Sequence, residues 1–173
     1  AGIMQAANEG AGREMSFGCH IHLPFESVAE GLFETERLIN YKYFFTRKLT
    51  FVKETDGLAL FPGGFGTLDE CFEVMTLIQT GKSKLLPVVF VDVPGGDYWV
   101  SMERHLRDQL LSRGLIGPDD PALYLLTTDV EEAAQTIVRF YANYQSTRCV
   151  GELTVLRHTL PASDELVDAL AAP

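Results

Sequence analysis

A strand, a glycine turn and a helix start follow one another over residues 57–70, and few folds accommodate that order. Gly57-Leu58-Ala59-Leu60-Phe61 is a short apolar run that reads as a buried strand. Leu68, Cys71, Phe72, Met75 and Ile78 recur at the spacing of one helix face. Between them lies Pro62-Gly63-Gly64-Phe65-Gly66-Thr67-Leu68-Asp69-Glu70. The turn from a strand's C-terminal end into a helix is where open α/β sheets bind ligands. Glycines there let a ligand approach the backbone, and the N–H groups of the first helical turn favour an anion such as phosphate. Three glycines in four residues exceed what a tight connection requires, so the turn reads as an anion cradle.

The rest of the chain repeats the same alternation. Ile3, Met4 and Ala7 share a helix face that a glycine stops at Gly10 or Gly12. Ser16 to Pro24 reads as a strand ended by proline, and Ser27 to Tyr43 as a mixed connection in which Val28, Leu32, Phe33 and Leu38 make a loose helix. Phe44 to Glu54 reads as a helix. The helix after the glycine turn is expected from Thr67 to about Thr80, closed by Gly81. Leu85 to Asp92 is a continuous apolar run, as in a strand covered on both faces. Pro94-Gly95-Gly96-Asp97 is a turn, with Asp97 the expected N-cap of a helix reaching about Arg113. A strand at 123–127 follows, then a helix capped by Thr128 or Asp129. The chain closes with a strand at 150–156 and a short helix at 163–172. About five strands alternating with helices predict one α/β domain over residues 1–173, a Rossmann-like, doubly wound, mainly parallel sheet with helices on both faces.

Composition narrows the function. The net charge of −10 offers no basic stripe for general nucleic-acid binding, yet leaves room for a small phosphorylated ligand. No apolar run reaches the ~20 residues of a membrane span, and nothing resembles a signal peptide. Cys19, Cys71 and Cys149 are odd in number and lack CxxC spacing, which predicts three reduced, mostly buried thiols in a cytoplasmic protein.

Each candidate for chemistry has a plain structural alternative. Thr67 and Glu70 fit a capping box, the glutamate reaching back to the cap's N–H, so Glu70 has a purely local role open to it. A carboxylate in a first helical turn is also held ionised by the macrodipole, which suits a base or charge stabiliser rather than a general acid. Asp69 shares that reading. Arg47-Lys48 is either a solvated pair or, with Arg47 between Phe44-Phe45 and Leu49, a packed stem whose guanidinium meets an anion. His20 and His22 face one side of a strand but have no third metal ligand nearby. The second Pro-Gly-Gly, at 94–96, lacks the Gly-Thr continuation and reads as a turn.

The residues from Pro62 to Glu70 resemble the PGGxGTxxE signature of the LOG (lonely guy) proteins. These are nucleoside 5′-monophosphate phosphoribohydrolases that activate cytokinins and were long labelled lysine decarboxylases. Phe44-Phe45-Thr46-Arg47-Lys48 resembles that family's Arg-Lys pair, and Gly2-Ile3-Met4-Gln5-Ala6-Ala7-Asn8 resembles its GIMEAAN helix. Leu23-Pro24-Phe25-Glu26 and Thr76-Leu77-Ile78-Gln79-Thr80-Gly81 also agree, and the likeness runs from Ala1 to about Tyr141. The resemblance implies hydrolysis of a nucleotide's N-glycosidic bond to free base and ribose 5-phosphate. It implies Glu70 and Arg47 as catalytic residues, and Gly63, Gly64, Gly66, Thr67, Lys48 and Met4 as phosphate- and nucleotide-binding ones. It implies no cofactor, no metal and a homodimer or higher homo-oligomer, with the 44–52 and 67–80 helices supplying the apolar faces. The family's strand–helix units before the GIMEAAN helix are not in this sequence, which therefore reads as N-terminally trimmed.

Two other readings compete. A similar fold occurs in molybdenum-cofactor carrier proteins, which hold a phosphorylated ligand without cleaving it. Such a carrier needs the glycines but not a carboxylate beside them, so Arg47 together with Glu70 favours the hydrolase. A lysine decarboxylase needs a pyridoxal-phosphate Schiff-base lysine, and no lysine here is marked as one.

Overall fold

The structure, a computed structural model, describes residues 2–21, 35–151 and 153–171. His22, the Leu23-Pro24-Phe25-Glu26 stretch and the helix expected around Val28, Leu32 and Phe33 lie outside the described residues, as does the side chain of Cys149. The protein is α/β and Rossmann-like, with mainly parallel sheets. Its chain divides into two compact units, Ala1–Thr55 and Asp56–Pro173.

In the first unit, helix α1 (Ile3–Ala11) ends at Gly12, whose φ of 79° only glycine adopts readily. Strand β1 (Gly18–Ile21) pairs in parallel with β2 (Leu38–Tyr41), and α2 (Phe44–Glu54) packs on both, with Val52 buried. Strand β2 departs from the expected mixed connection. Leu38-Ile39-Asn40-Tyr41 buries none of its four residues, so no apolar pattern marked it. Its pairing with β1 defines it instead, and a parallel partner needs the long connection that the sequence places between them.

The second unit is built on the parallel sheet β3–β4–β5, comprising β3 (Leu58–Leu60), β4 (Val88–Val91) and β5 (Tyr124–Thr127). All four residues of β4 are buried, as befits the middle strand of a covered sheet. Val89 and Val91 point one way, into a cluster with Ala133 of α5 (Val130–Asn143), packed by Phe61, Leu125 and Ile137. Phe90 points the other way and stacks between Trp99 of α4 (Tyr98–His105) and Tyr124, with ring centroids 4.4 and 4.7 Å away. Helices therefore cover both faces of this sheet. Asp129 caps α5, accepting from the N–H groups of Glu131 and Glu132.

Three boundaries differ from expectation. Helix α3 runs Phe65–Gln79 and so begins before Thr67. The helix after the second Pro-Gly-Gly loop is α-helical only to His105. From Leu106 to Leu111 it widens into a π-helical stretch, whose Ser112 N–H reaches back to Arg107 O. At the end of the chain the expected strand is half of an antiparallel hairpin, β6 (Tyr144–Val150) with β7 (Leu153–His158), followed by α6 (Asp164–Ala171).

Candidate functional site

The glycine turn connects β3 to α3. Gly64 is the N-cap, extended at φ −89° and ψ −158°, and its carbonyl accepts from the N–H groups of Thr67 and Leu68 at 3.1 and 3.2 Å. No side chain caps the helix, so the expected Thr67–Glu70 capping box is not formed. The cause is the early start. With Phe65 as the first helical residue, Thr67 is the third and Glu70 falls in the second turn, beyond the first-turn range of the macrodipole. Thr67 packs back on the turn instead. A Cβ at Gly63 would collide with its side chain, lying 2.9 Å from the Thr67 Cβ. Gly64 and Gly66 behave differently. Neither has a positive φ, and a Cβ on either would stand in open space, so neither conformation nor packing demands glycine there.

Behind the turn, α3 spends its apolar face on the core: Cys71 and Val74 are 1% exposed and Ile78 is 6% exposed. Burial pushes the Cys71 thiol up to about 12, which keeps it protonated and unreactive near neutral pH. Asp69 is exposed, whereas Glu70 is half-buried and sits one turn beyond Thr67 on an adjoining face. Phe65, between the glycines, is 93% exposed.

The second Pro-Gly-Gly loop stands beside the first. Val93 O accepts from Gly96 N–H at 2.8 Å across Pro94 and Gly95, and Gly95 has φ 79°, which together describe a type II turn. Buried Asp92, at the end of β4, anchors this loop. One carboxylate oxygen accepts from Val93 N–H at 2.8 Å and the other from Trp99 N–H at 3.1 Å. Asp97, expected to cap α4, makes no side-chain cap bond, since Asp92 serves the N–H of Trp99 from outside the helix. Tyr98 then reaches across, its hydroxyl donating to Gly63 O at 2.7 Å. Sequence reasoning assigned no role to Asp92 or Tyr98. A carboxylate closing an otherwise apolar strand was the available signal for Asp92; nothing local marked Tyr98.

Gly63, Gly64, Gly66, Thr67 and Glu70 thus belong to one turn and the first two turns of α3, in the second unit. Met4, Arg47 and Lys48 belong to the first unit. Met4 is exposed on α1, and Arg47 and Lys48 are half-buried on α2. The Arg47 guanidinium carbon lies 5.9 Å from the centroid of the Phe44 ring, so the guanidinium itself meets one of the flanking aromatics. The exposed apolar side chains of α2 are Phe44, Phe45 and Leu49. His20 Nδ1 pairs with Asn40 Oδ1 across β1 and β2 at 3.2 Å. Among the described residues no group of three or more His, Cys, Asp or Glu is placed to hold a metal ion, and no helix is long and apolar enough to cross a membrane.

Residues 2–137 match the model of a family described as "Possible lysine decarboxylase". No curated protein matches the chain. The hairpin β6–β7 and α6 lie beyond the matched residues.

Proposed function

The chain belongs to the possible lysine decarboxylase family, which contains the LOG proteins, and from that membership we propose that it hydrolyses the N-glycosidic bond of a purine or cytokinin nucleoside 5′-monophosphate. The observation that carries this reading is the bareness of Gly64 and Gly66. Where nothing inside the protein asks for glycine, close approach of a ligand to the backbone remains as the reason for it. The phosphate then accepts hydrogen bonds from N–H groups at the start of α3, which lack intrahelical partners. Glu70 follows about 8 Å further along the helix axis, at ~1.5 Å per residue.

In this reading the bond between the anomeric carbon and the base nitrogen breaks through an oxocarbenium-like state. The Glu70 carboxylate stabilises the positive charge and takes a proton from the attacking water. The water oxygen bonds to the anomeric carbon, the departing base nitrogen takes a proton from solvent, and Glu70 returns its proton to solvent, giving free base and ribose 5-phosphate. From the family likeness alone we propose Arg47 as a second catalytic residue, with the ribose, the phosphate or Glu70 as what it would hold, and Lys48 and Met4 as nucleotide-binding residues. The test is release of free base from AMP and from isopentenyladenosine monophosphate. We expect Glu70→Ala to lower release by about 10²–10⁴-fold, the usual share of a positioned acid–base group. Tight nucleotide binding without release by the unmodified chain would replace the hydrolase with a carrier.

We also propose a homodimer formed through α2, whose Phe44, Phe45 and Leu49 are 51%, 67% and 68% exposed. On α3 the residues Cys71, Val74 and Ile78 fill the core, which leaves Phe72 as the exposed residue of its stripe. Phe44→Ser/Phe45→Ser should halve the mass in light scattering; an unchanged mass refutes it.

A further inference from the structure

We propose that Tyr98 is a positioning residue of the phosphate site, acting through the Gly63–Gly64 peptide; this rests on the phosphate reading of the glycine turn. In a planar trans peptide the carbonyl of one residue and the N–H of the next point in opposite directions. Tyr98 holds the Gly63 carbonyl at 2.7 Å, so it also fixes where the Gly64 N–H points: away from the β4–α4 loop. Glycine's conformational freedom would otherwise let this peptide rotate, because neither Gly63 nor Gly64 carries a Cβ to restrict it. Thr67 packs against Gly63, and Tyr98 holds the Gly63 carbonyl.

The tie is only as rigid as its own support, and that support is substantial. Tyr98 adjoins Trp99, which is fully buried, stacked on Phe90 and held through its N–H by Asp92. The Tyr98 ring also meets the Trp99 ring edge-on, with centroids 4.8 Å apart. The hydroxyl is therefore delivered from beside a fully buried ring to an exposed turn. An orientation set before binding spares the ligand the entropy of ordering the peptide.

Tyr98→Phe removes the hydroxyl and keeps the ring. Calorimetric titration with AMP and with adenosine, on the unmodified chain and on Tyr98→Phe, separates the possibilities. The expected result is a three- to tenfold weaker affinity for AMP, roughly one lost hydrogen bond, with adenosine affinity and Tm unchanged. In spectra of ¹⁵N-labelled protein, the Gly64 amide of the unmodified chain should move on titration with inorganic phosphate. Equal affinities of the two proteins for AMP, or an equal loss for AMP and adenosine, would overturn the role of Tyr98. If the unmodified chain binds AMP no better than adenosine, the phosphate reading itself falls, and the proposal with it. A Gly64 amide indifferent to phosphate overturns the proposal even if Tyr98→Phe does not fold.

Discussion

Pro62-Gly63-Gly64 and Pro94-Gly95-Gly96 are the same tripeptide in the same topological place, each leaving a parallel strand for a helix. In the second loop every glycine has an internal reason. Gly95 supplies the positive φ of a type II turn, and a Cβ on Gly96 would run into the Asp92 carboxylate, 2.7 Å from its Cγ. In the first loop only Gly63 has such a reason, while Gly64 and the following Gly66 have none. One loop is closed on a buried acid. The other keeps its backbone accessible, with Glu70 a turn beyond. Identical sequence thus has both of its glycines accounted for by the fold in one place and only one in the other, and the neighbours decide which.

That contrast can be broken by substitution. After the loss of turnover expected for Glu70→Ala, the next largest effect should come from the acid of the other loop. Asp92→Ala leaves the N–H groups of Val93 and Trp99 without their acceptor and should destabilise the fold by about 2–3 kcal/mol in urea unfolding. A drop under about 0.5 kcal/mol would show that the second loop does not depend on its carboxylate. Gly96→Ala forces the Asp92 contact and should cost about 1–3 kcal/mol. Gly66→Ala lies inside α3 with open space around it and should leave stability unchanged or raise it by up to about 1 kcal/mol, while weakening AMP binding. If Gly66→Ala lowers Tm as much as Gly96→Ala does, the two loops are alike and the distinction fails.

Much of the fold was legible because it is written in short-range patterns. The apolar run at β4, the 3.6-residue periodicity of α2 and the glycine stop after α1 all rest on residues near one another in sequence. The two missed strands, β2 and β6, have no such pattern: β2 buries nothing, and β6 is defined by its pairing with β7. The capping box illustrates the opposite failure. Thr67 and Glu70 satisfy its spacing, yet the helix began at Phe65, so Thr67 went to pack against Gly63 instead.

The sequence by itself determined the strand–turn–helix order, the α/β class, and the glycines, threonine and carboxylate that carry the family likeness, because each is a matter of local composition and spacing. Only the tertiary structure decided which glycines are bare, that Asp92 rather than Asp97 holds the start of α4, and that Tyr98 reaches Gly63 from a residue 35 positions away. The Tyr98–Gly63 bond joins separate strand–helix units and exists only once parallel strands bring the two loops to the same edge of the sheet, whereas the Asp92 and glycine contacts lie within single loops and depend on the folded path of each.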